Sequence, residues 1–212
     1  MKLIGSYTSP FVRKISVILL EKGLPFQLIT ASPWEEDPRV IAVNPLGKVP
    51  VLITGHGEPI FDSPIIAEYL ELLCAEPALL PADRLQALRV RQLEALADGV
   101  TDAAMAIVRE CQRQADRQNE GFILCQREKI RRGLTALELS AREGKWLNTP
   151  SLSLADIAVA CSLGFINFRR VMPNWCVDRP VLVEMAGRVL ARKSFARTAP
   201  PAAAALYTNE ML

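Results

Sequence analysis

Two prolines in Ala75-Glu76-Pro77-Ala78-Leu79-Leu80-Pro81-Ala82 divide this chain into parts of different kind. Before them, short apolar runs with strand character alternate with helical runs. After them strand signals vanish and long helical stripes take over. The break predicts an α/β domain over 1–80 and an all-α domain over 84–205. That restricts the fold to those in which a small sheet domain is followed by a helical one. No internal repeat competes with this division.

Within the first part, Lys2 to Ser6 reads as a strand. Pro10 to Lys22 reads as a helix, with Phe11, Ile15, Ile18 and Leu19 at helical spacing and Gly23 just past its end. Phe26-Gln27-Leu28-Ile29 reads as a second strand, and the stretch from Trp34 to Val43 as a short irregular helix. Val51-Leu52-Ile53 and Glu58-Pro59-Ile60-Phe61 flank Thr54-Gly55-His56-Gly57, a hairpin signal that leaves His56 at a solvated tip. Ser63 to Leu73 is helical. The predicted order is βαβ, then αββα.

In the second part, Asp83 to Gln118 reads as one long helix with an apolar stripe through Leu85, Leu88, Leu93, Leu96, Val100, Ala104 and Val108. Helices over 122–142, 153–169 and 178–190 follow. The Pro/Ala-rich tail from Ala199 is expected to fray.

A formal net charge of +2 argues neither for a polyanion partner nor against one, and no dense Lys/Arg run marks a nucleic-acid face. The N-terminus has no long apolar segment, and no run approaches the ~20 residues of a membrane span. The expectation is a cytoplasmic protein with neither nucleic acid nor membrane as partner. Five scattered cysteines, at 74, 111, 125, 161 and 176, lack metal-ligand spacing, so no metal site is expected. They read as reduced, mostly buried thiols.

Three short segments carry the chemistry. Ser9-Pro10 opens the first helix with a favoured N-cap and a favoured first residue. Beyond capping, that position suits an anion. Asn44-Pro45-Leu46-Gly47-Lys48-Val49-Pro50 reads as a turn entering a strand, with a proline where a ladder donor would sit. Phe61-Asp62-Ser63-Pro64 reads as a strand ending in a carboxylate and a hydroxyl, with Ser63 as N-cap and Pro64 as first residue of the next helix. The second and third together predict a site for a small zwitterionic peptide, built from backbone groups and a helix N-terminus. On their own, the first and third segments also read as simple caps, and the second as an edge strand that ends pairing.

With Ser9-Pro10-Phe11, Asn44 to Pro50, Asp62-Ser63 and Ser153-Leu154-Ala155-Asp156 in place, the chain resembles the cytosolic-type glutathione S-transferases over about residues 1–198, most closely their bacterial YibF-like branch. The resemblance implies a thioredoxin-like N-terminal domain, an all-α C-terminal domain, a homodimer, and glutathione as cosubstrate. It also implies a cis Val49–Pro50 bond. The Val49 N–H and C=O would pair with the cysteinyl backbone of glutathione like an added strand. Ser63 would meet the γ-glutamyl carboxylate and Asp62 the γ-glutamyl ammonium. Lys48 would meet the glycyl carboxylate, though it reads equally as a solvated turn residue. Phe11 joins the glutathione-binding set. Trp34, Glu35 and Glu36, where the family often places a further contact, match nothing clearly.

The family activates the thiol with a Tyr, Ser or Cys near the end of strand one, and Tyr7, Thr8 and Ser9 all qualify here. Ser9 stands where Cys-Pro-Phe members have cysteine. A serine cannot form the mixed disulfide of thiol-transfer chemistry, but it can donate a hydrogen bond to a thiolate. The expectation is a glutathione transferase acting on a small-molecule electrophile, with little or no disulfide reductase activity and Tyr7 as the rival hydroxyl. A lyase, isomerase or peroxidase on the same fold stays open. So does a non-catalytic relative that works by protein interaction or in a stress response, as in chains resembling the stringent starvation proteins.

In the second part, Ser153 and Asp156 form a capping box expected to serve folding. Met105, Val108 and Arg109 are expected to line the pocket of the second substrate. The segments Phe168-Arg169-Arg170 and Trp175 to Pro180 receive no role from these patterns.

Overall fold

A computed structural model describes residues 1–32, 36–147 and 149–202 of the chain. It divides the chain into two units. The first joins residues 1–80 to 192–200, and the second contains 81–191. The return of 192–200 to the first unit departs from the expectation of one helical domain over 84–205. Its physical cause lies in the side chains of Arg13, Glu21, Arg192 and Ser194, described below.

The first unit carries strands β1 (Lys2–Gly5), β2 (Gln27–Thr30), β3 (Val51–Ile53) and β4 (Pro59–Ile60) in the spatial order β2-β1-β3-β4. β1 pairs parallel with β2 and antiparallel with β3, and β4 pairs antiparallel with β3. Helices α1 (Pro10–Glu21), α2 (Pro38–Ile41) and α3 (Ser63–Leu73) complete the βαβ and αββα order. This is a thioredoxin-like arrangement followed by an all-helical part. β4 is shorter than its sequence signal, and of the Trp34–Val43 stretch only the four residues of α2 are helical among those described. Trp34 and Glu35 lie outside the described residues.

α1 keeps the cap read from sequence. The Ser9 hydroxyl accepts the Val12 N–H at 3.4 Å, and Gly23, at φ +65°, follows Lys22 in the left-handed region. Its inner face buries Val12, Ile15, Ile18 and Leu19.

Past Ala191 the chain re-enters the first unit as α8 (Lys193–Arg197), fixed to α1. Arg192 forms a two-pronged ion pair with Glu21 at 2.8 and 2.7 Å, the Ser194 hydroxyl donates to the same carboxylate, and Arg13 donates to the Phe195 carbonyl at 3.2 Å. A fork-on-carboxylate pair that is partly shielded holds geometry well. Glu21 lies some 170 residues before Arg192 and Ser194, too far along the chain for any local pattern to signal the cluster.

The second unit consists of α4 (Arg84–Cys111), α5 (Glu120–Ala141), α6 (Leu154–Arg169) and α7 (Pro180–Leu190), with a 3-10 turn at 115–117. The long predicted helix therefore ends at Cys111. Its buried stripe runs through Val90, Leu93, Ala97, Val100, Ala104, Ile107 and Val108, whereas Leu85 and Leu88 are 58% and 60% exposed. Gly133 lets α5 approach α4: a Cβ there would lie 2.3 Å from Val100 Cγ2. No helix among the described residues is long and apolar enough to cross a membrane. None of the five cysteines forms a disulfide, and only Cys161 is buried, so the expectation of mostly buried thiols does not hold.

The two segments that received no role from sequence make contacts within the second unit. Arg170 ends α6 at φ +51°, and Arg169 is buried with its guanidinium 4.6 Å from the Phe168 ring centre. Burial pushes the Arg169 pKa down. The Trp175 indole N–H donates to Asn167 Oδ1 at 2.6 Å, and Arg179 donates to the Trp175 carbonyl at 2.7 Å and to the Thr135 hydroxyl at 3.1 Å. From α5, the Glu138 carboxylate accepts the Leu182 N–H at 2.7 Å and so caps α7 across the unit.

Candidate functional site

The sheet register decides where the site lies. Ile4 pairs with Val51 and Leu52 with Ile60. The C-terminal end of β1, the N-terminal end of β3 and the C-terminal end of β4 therefore share one end of the sheet. The three segments read from sequence are the loops that leave it: 6–9 after β1, 49–50 before β3, and 61–62 before α3.

The first loop is braced by its own hydroxyls. Thr8 N–H donates to Ser6 Oγ at 3.3 Å, the Ser6 and Thr8 hydroxyls lie 3.1 Å apart, and Ser9 N–H donates to the Ser6 carbonyl at 2.9 Å. Ser9 is 4% exposed. Its oxygen accepts from Val12, which leaves the hydroxyl proton available to donate. Tyr7 is half-buried on the same loop, and Phe11 is half-buried with the Lys14 ammonium 5.8 Å from its ring centre.

Gly5 closes the distance between this loop and the next. A Cβ at Gly5 would lie 2.4 Å from Val12 Cγ2 and 3.3 Å from Val49 Cβ, and its φ is +148°. Only glycine accommodates both the approach and the dihedral. Val49 itself stands two residues before the first paired residue of β3, so its N–H and C=O lie outside the ladder. The Val49–Pro50 peptide bond is cis. Lys48 is exposed beside it.

The third loop corrects the expected cap. Asp62, not Ser63, is the N-cap of α3, and its carboxylate accepts the Ser63 N–H. A carboxylate is the stronger acceptor for a free helix donor, so the aspartate displaces the serine from that role. Pro64 is accordingly the second helical residue. The Ser63 side chain is left 1% exposed, and its hydroxyl is buried without a protein partner. A buried hydroxyl without a partner at a helix N-terminus is a ready place for an anionic group.

In the second unit, Met105 is half-buried, Val108 is 1% exposed and Arg109 is exposed. Ser153 and Asp156 form the predicted capping box. Asp156 is fully buried and accepts from Leu147 N–H at 2.9 Å, Ser153 N–H at 2.8 Å and Ser153 O–H at 2.6 Å. Burial pushes its pKa up against these bonds. No cluster of metal-ligating side chains occurs among the described residues.

Comparison with known proteins agrees with this geometry. Residues 8–73 match the family described as "Glutathione S-transferase, N-terminal domain", and residues 100–193 match "Glutathione S-transferase, C-terminal domain". An Escherichia coli K12 protein described as "Uncharacterized GST-like protein YibF" is 57% identical over 203 residues, covering 96% of this chain and 100% of that one. A glutathione S-transferase structure from Methylobacterium radiotolerans, in complex with glutathione sulfonate, superposes with a TM-score of 0.89 at 35% identity, covering 94% of each chain. Another, from Methylobacillus flagellatus with glutathione bound, gives a TM-score of 0.88 at 40% identity, covering 94% of this chain and 99% of that one.

Proposed function

The chain belongs to the cytosolic glutathione S-transferase superfamily, and on that premise we propose that it binds glutathione at the sheet end, stabilises its thiolate and transfers it to a small electrophile. Within the superfamily we place it in the YibF-like branch, the branch of the relative that is 57% identical. The observation that carries the reading is the buried Ser63 hydroxyl without a partner at the start of α3, on the same end of the sheet as Ser9 and Val49. Solved relatives that hold glutathione or its sulfonate support it.

In this reading each residue has a chemical task. Ser63 Oγ meets the γ-glutamyl carboxylate and Asp62 the γ-glutamyl ammonium, a charge-assisted pair. Val49 offers its backbone N–H and C=O to the cysteinyl unit as an added strand would. Lys48 meets the glycyl carboxylate. The Ser9 hydroxyl donates a hydrogen bond to the thiolate, and the free N–H groups of α1 add to the field that favours the anion. With oxygen rather than sulfur at Ser9, no mixed disulfide with the enzyme forms at that position. Met105 and Arg109 are our candidates for the electrophile side, while Val108, expected there too, is buried in the stripe of α4; a homodimer is the proposed assembly.

Conjugation of glutathione to an activated aryl halide tests the assignment of roles. Ser9→Ala is expected to lower turnover by about 10²-fold, as removal of one preorganised donor does, with glutathione affinity unchanged. Tyr7→Phe is expected to leave both near wild type. The reverse outcome transfers the role to Tyr7. Reduction of a glutathione mixed disulfide at glutaredoxin-like rates would overturn the transferase assignment.

A further inference from the structure

Asn44 is 3% exposed, although Pro45 and Leu46 beside it lie on the surface. A buried carboxamide costs free energy unless both its ends are paired. Here both are. Oδ1 accepts the Leu46 N–H at 3.1 Å, and Nδ2 donates to the Lys48 carbonyl at 2.8 Å. The backbone completes the turn: Asn44 N–H donates to the Val40 carbonyl at 2.8 Å, Gly47 N–H donates to the Asn44 carbonyl at 2.9 Å, and Gly47 sits at φ +61°.

The two ends of the carboxamide do different work. Accepting from Leu46 is ordinary turn chemistry, which aspartate or serine performs as well. Donating to the Lys48 carbonyl while accepting at the other end needs the amide. That carbonyl shares one peptide plane with the N–H of Val49. Holding the oxygen therefore fixes the direction of the Val49 N–H on the opposite side of the plane. The Val49 side chain is bounded in turn by Gly5, where a Cβ would come within 3.3 Å of it.

We infer that Asn44 is a positioning residue for peptide recognition: by holding the Lys48 carbonyl it aims the Val49 N–H at the backbone of the bound peptide. This rests on the proposed glutathione-binding role of the sheet end. Asn44 touches no ligand in this account and acts through Val49 alone.

Titration calorimetry with glutathione and with S-methylglutathione tests it in wild type, Asn44→Asp and Asn44→Ser. Both variants keep an acceptor for Leu46, and neither can donate to Lys48 as the carboxamide does: the carboxylate has no proton and the serine is too short. Loss of one neutral, part-buried hydrogen bond that aims the Val49 N–H predicts a Kd raised roughly tenfold. The factor is the same for both ligands, because S-methylglutathione has no ionisable thiol but keeps the peptide backbone. Tm, recorded alongside, stays within about 5 °C of wild type. Wild-type affinity in either folded variant overturns the inference, and so does a loss confined to glutathione, which would place the effect at the thiol. If neither variant folds, Asn44 holds the domain rather than the edge, and the inference falls. If wild type binds neither ligand, the glutathione-binding reading itself falls and takes this inference with it.

Discussion

The Lys22 ammonium lies 2.8 Å from Glu71 Oε1 and joins the last residue of the α1 cap to the end of α3. It also donates to the carbonyls of Cys74 at 2.7 Å and Pro77 at 2.9 Å, while Glu71 accepts the Leu79 N–H at 3.3 Å. The lysine side chain is wholly buried and its partner nearly so. The proline-containing segment that divides the two parts of the sequence is thus tied down around one cation.

Removing that cation is expected to be costly. Breaking a buried pair by deleting one partner leaves the other charge uncompensated, at about 3–5 kcal/mol. Lys22→Met should lower urea-unfolding stability by an amount in that range. A loss below about 1 kcal/mol, the size typical of a surface pair, would show that the pair is solvated.

Asp156→Ala removes three acceptor contacts from a fully buried carboxylate. Each buried donor left without a partner costs about 1–3 kcal/mol. The variant is therefore expected to lose more than the ~1 kcal/mol of an ordinary cap. A melting curve superposable on wild type would remove the capping box from the list of structural determinants.

Gly5→Ala tests the close approach of β1, α1 and Val49. The added methyl meets Val12 at 2.4 Å and sits at φ +148°. Overpacking of a filled core costs about 1–3 kcal/mol, and the dihedral adds to it. Denaturant titration should show a loss of at least that size. Adding Val12→Ala should recover part of it, because the first clash is with that side chain.

The Glu21–Arg192 pair predicts a pH dependence of definite sign. Hydrogen bonding from Arg192 is the main cause that holds the Glu21 carboxyl below its ordinary pKa; the Ser194 hydroxyl and the charge of Arg192 act the same way, and burial acts against them. A carboxylate depressed in the folded state adds stability above its unfolded pKa, about 4.3, and loses it as pH falls through the lower folded value. The stability gap between wild type and Glu21→Gln should therefore be constant near neutral pH and close in acid. A gap that widens below pH 4 would contradict the assignment.

Trp175→Phe deletes one hydrogen bond, from the indole to Asn167. A loss of about 1 kcal/mol is expected, read as a shift in the urea midpoint. Glutathione affinity is expected to stay at the wild-type value. A changed affinity would mean that the Trp175–Pro180 segment reaches the site.

Much of this was legible in the chain because it rests on local signals. Ser9-Pro10, Gly23 and Ser153-Leu154-Ala155-Asp156 announce helix ends through near-neighbour chemistry, and the structure keeps each of them. The three segments that meet at one end of the sheet carry local signals of the same kind. What escaped depends on distant partners. Arg192 and Ser194 find Glu21 some 170 residues earlier in the chain, and no local pattern signals a helix that returns to the first unit. Ser63 was read as a cap because Ser-Pro favours that reading, yet the preceding carboxylate won the position. Leu85 and Leu88 followed the helical period but lie beyond the reach of the core. Gly5 and Asn44 gave no sign of their work, since one depends on a close approach in space and the other on a side chain bonded four residues along.

The central claim is that glutathione is held at the sheet end by Ser63 and Val49, and thermal unfolding with millimolar glutathione tests it most directly. A ligand that binds only the folded state raises Tm, by an amount that grows with concentration. The account predicts a clear rise for wild type and a smaller one for Ser63→Ala at the same concentration. No rise for wild type, or an equal rise for both proteins, would contradict it.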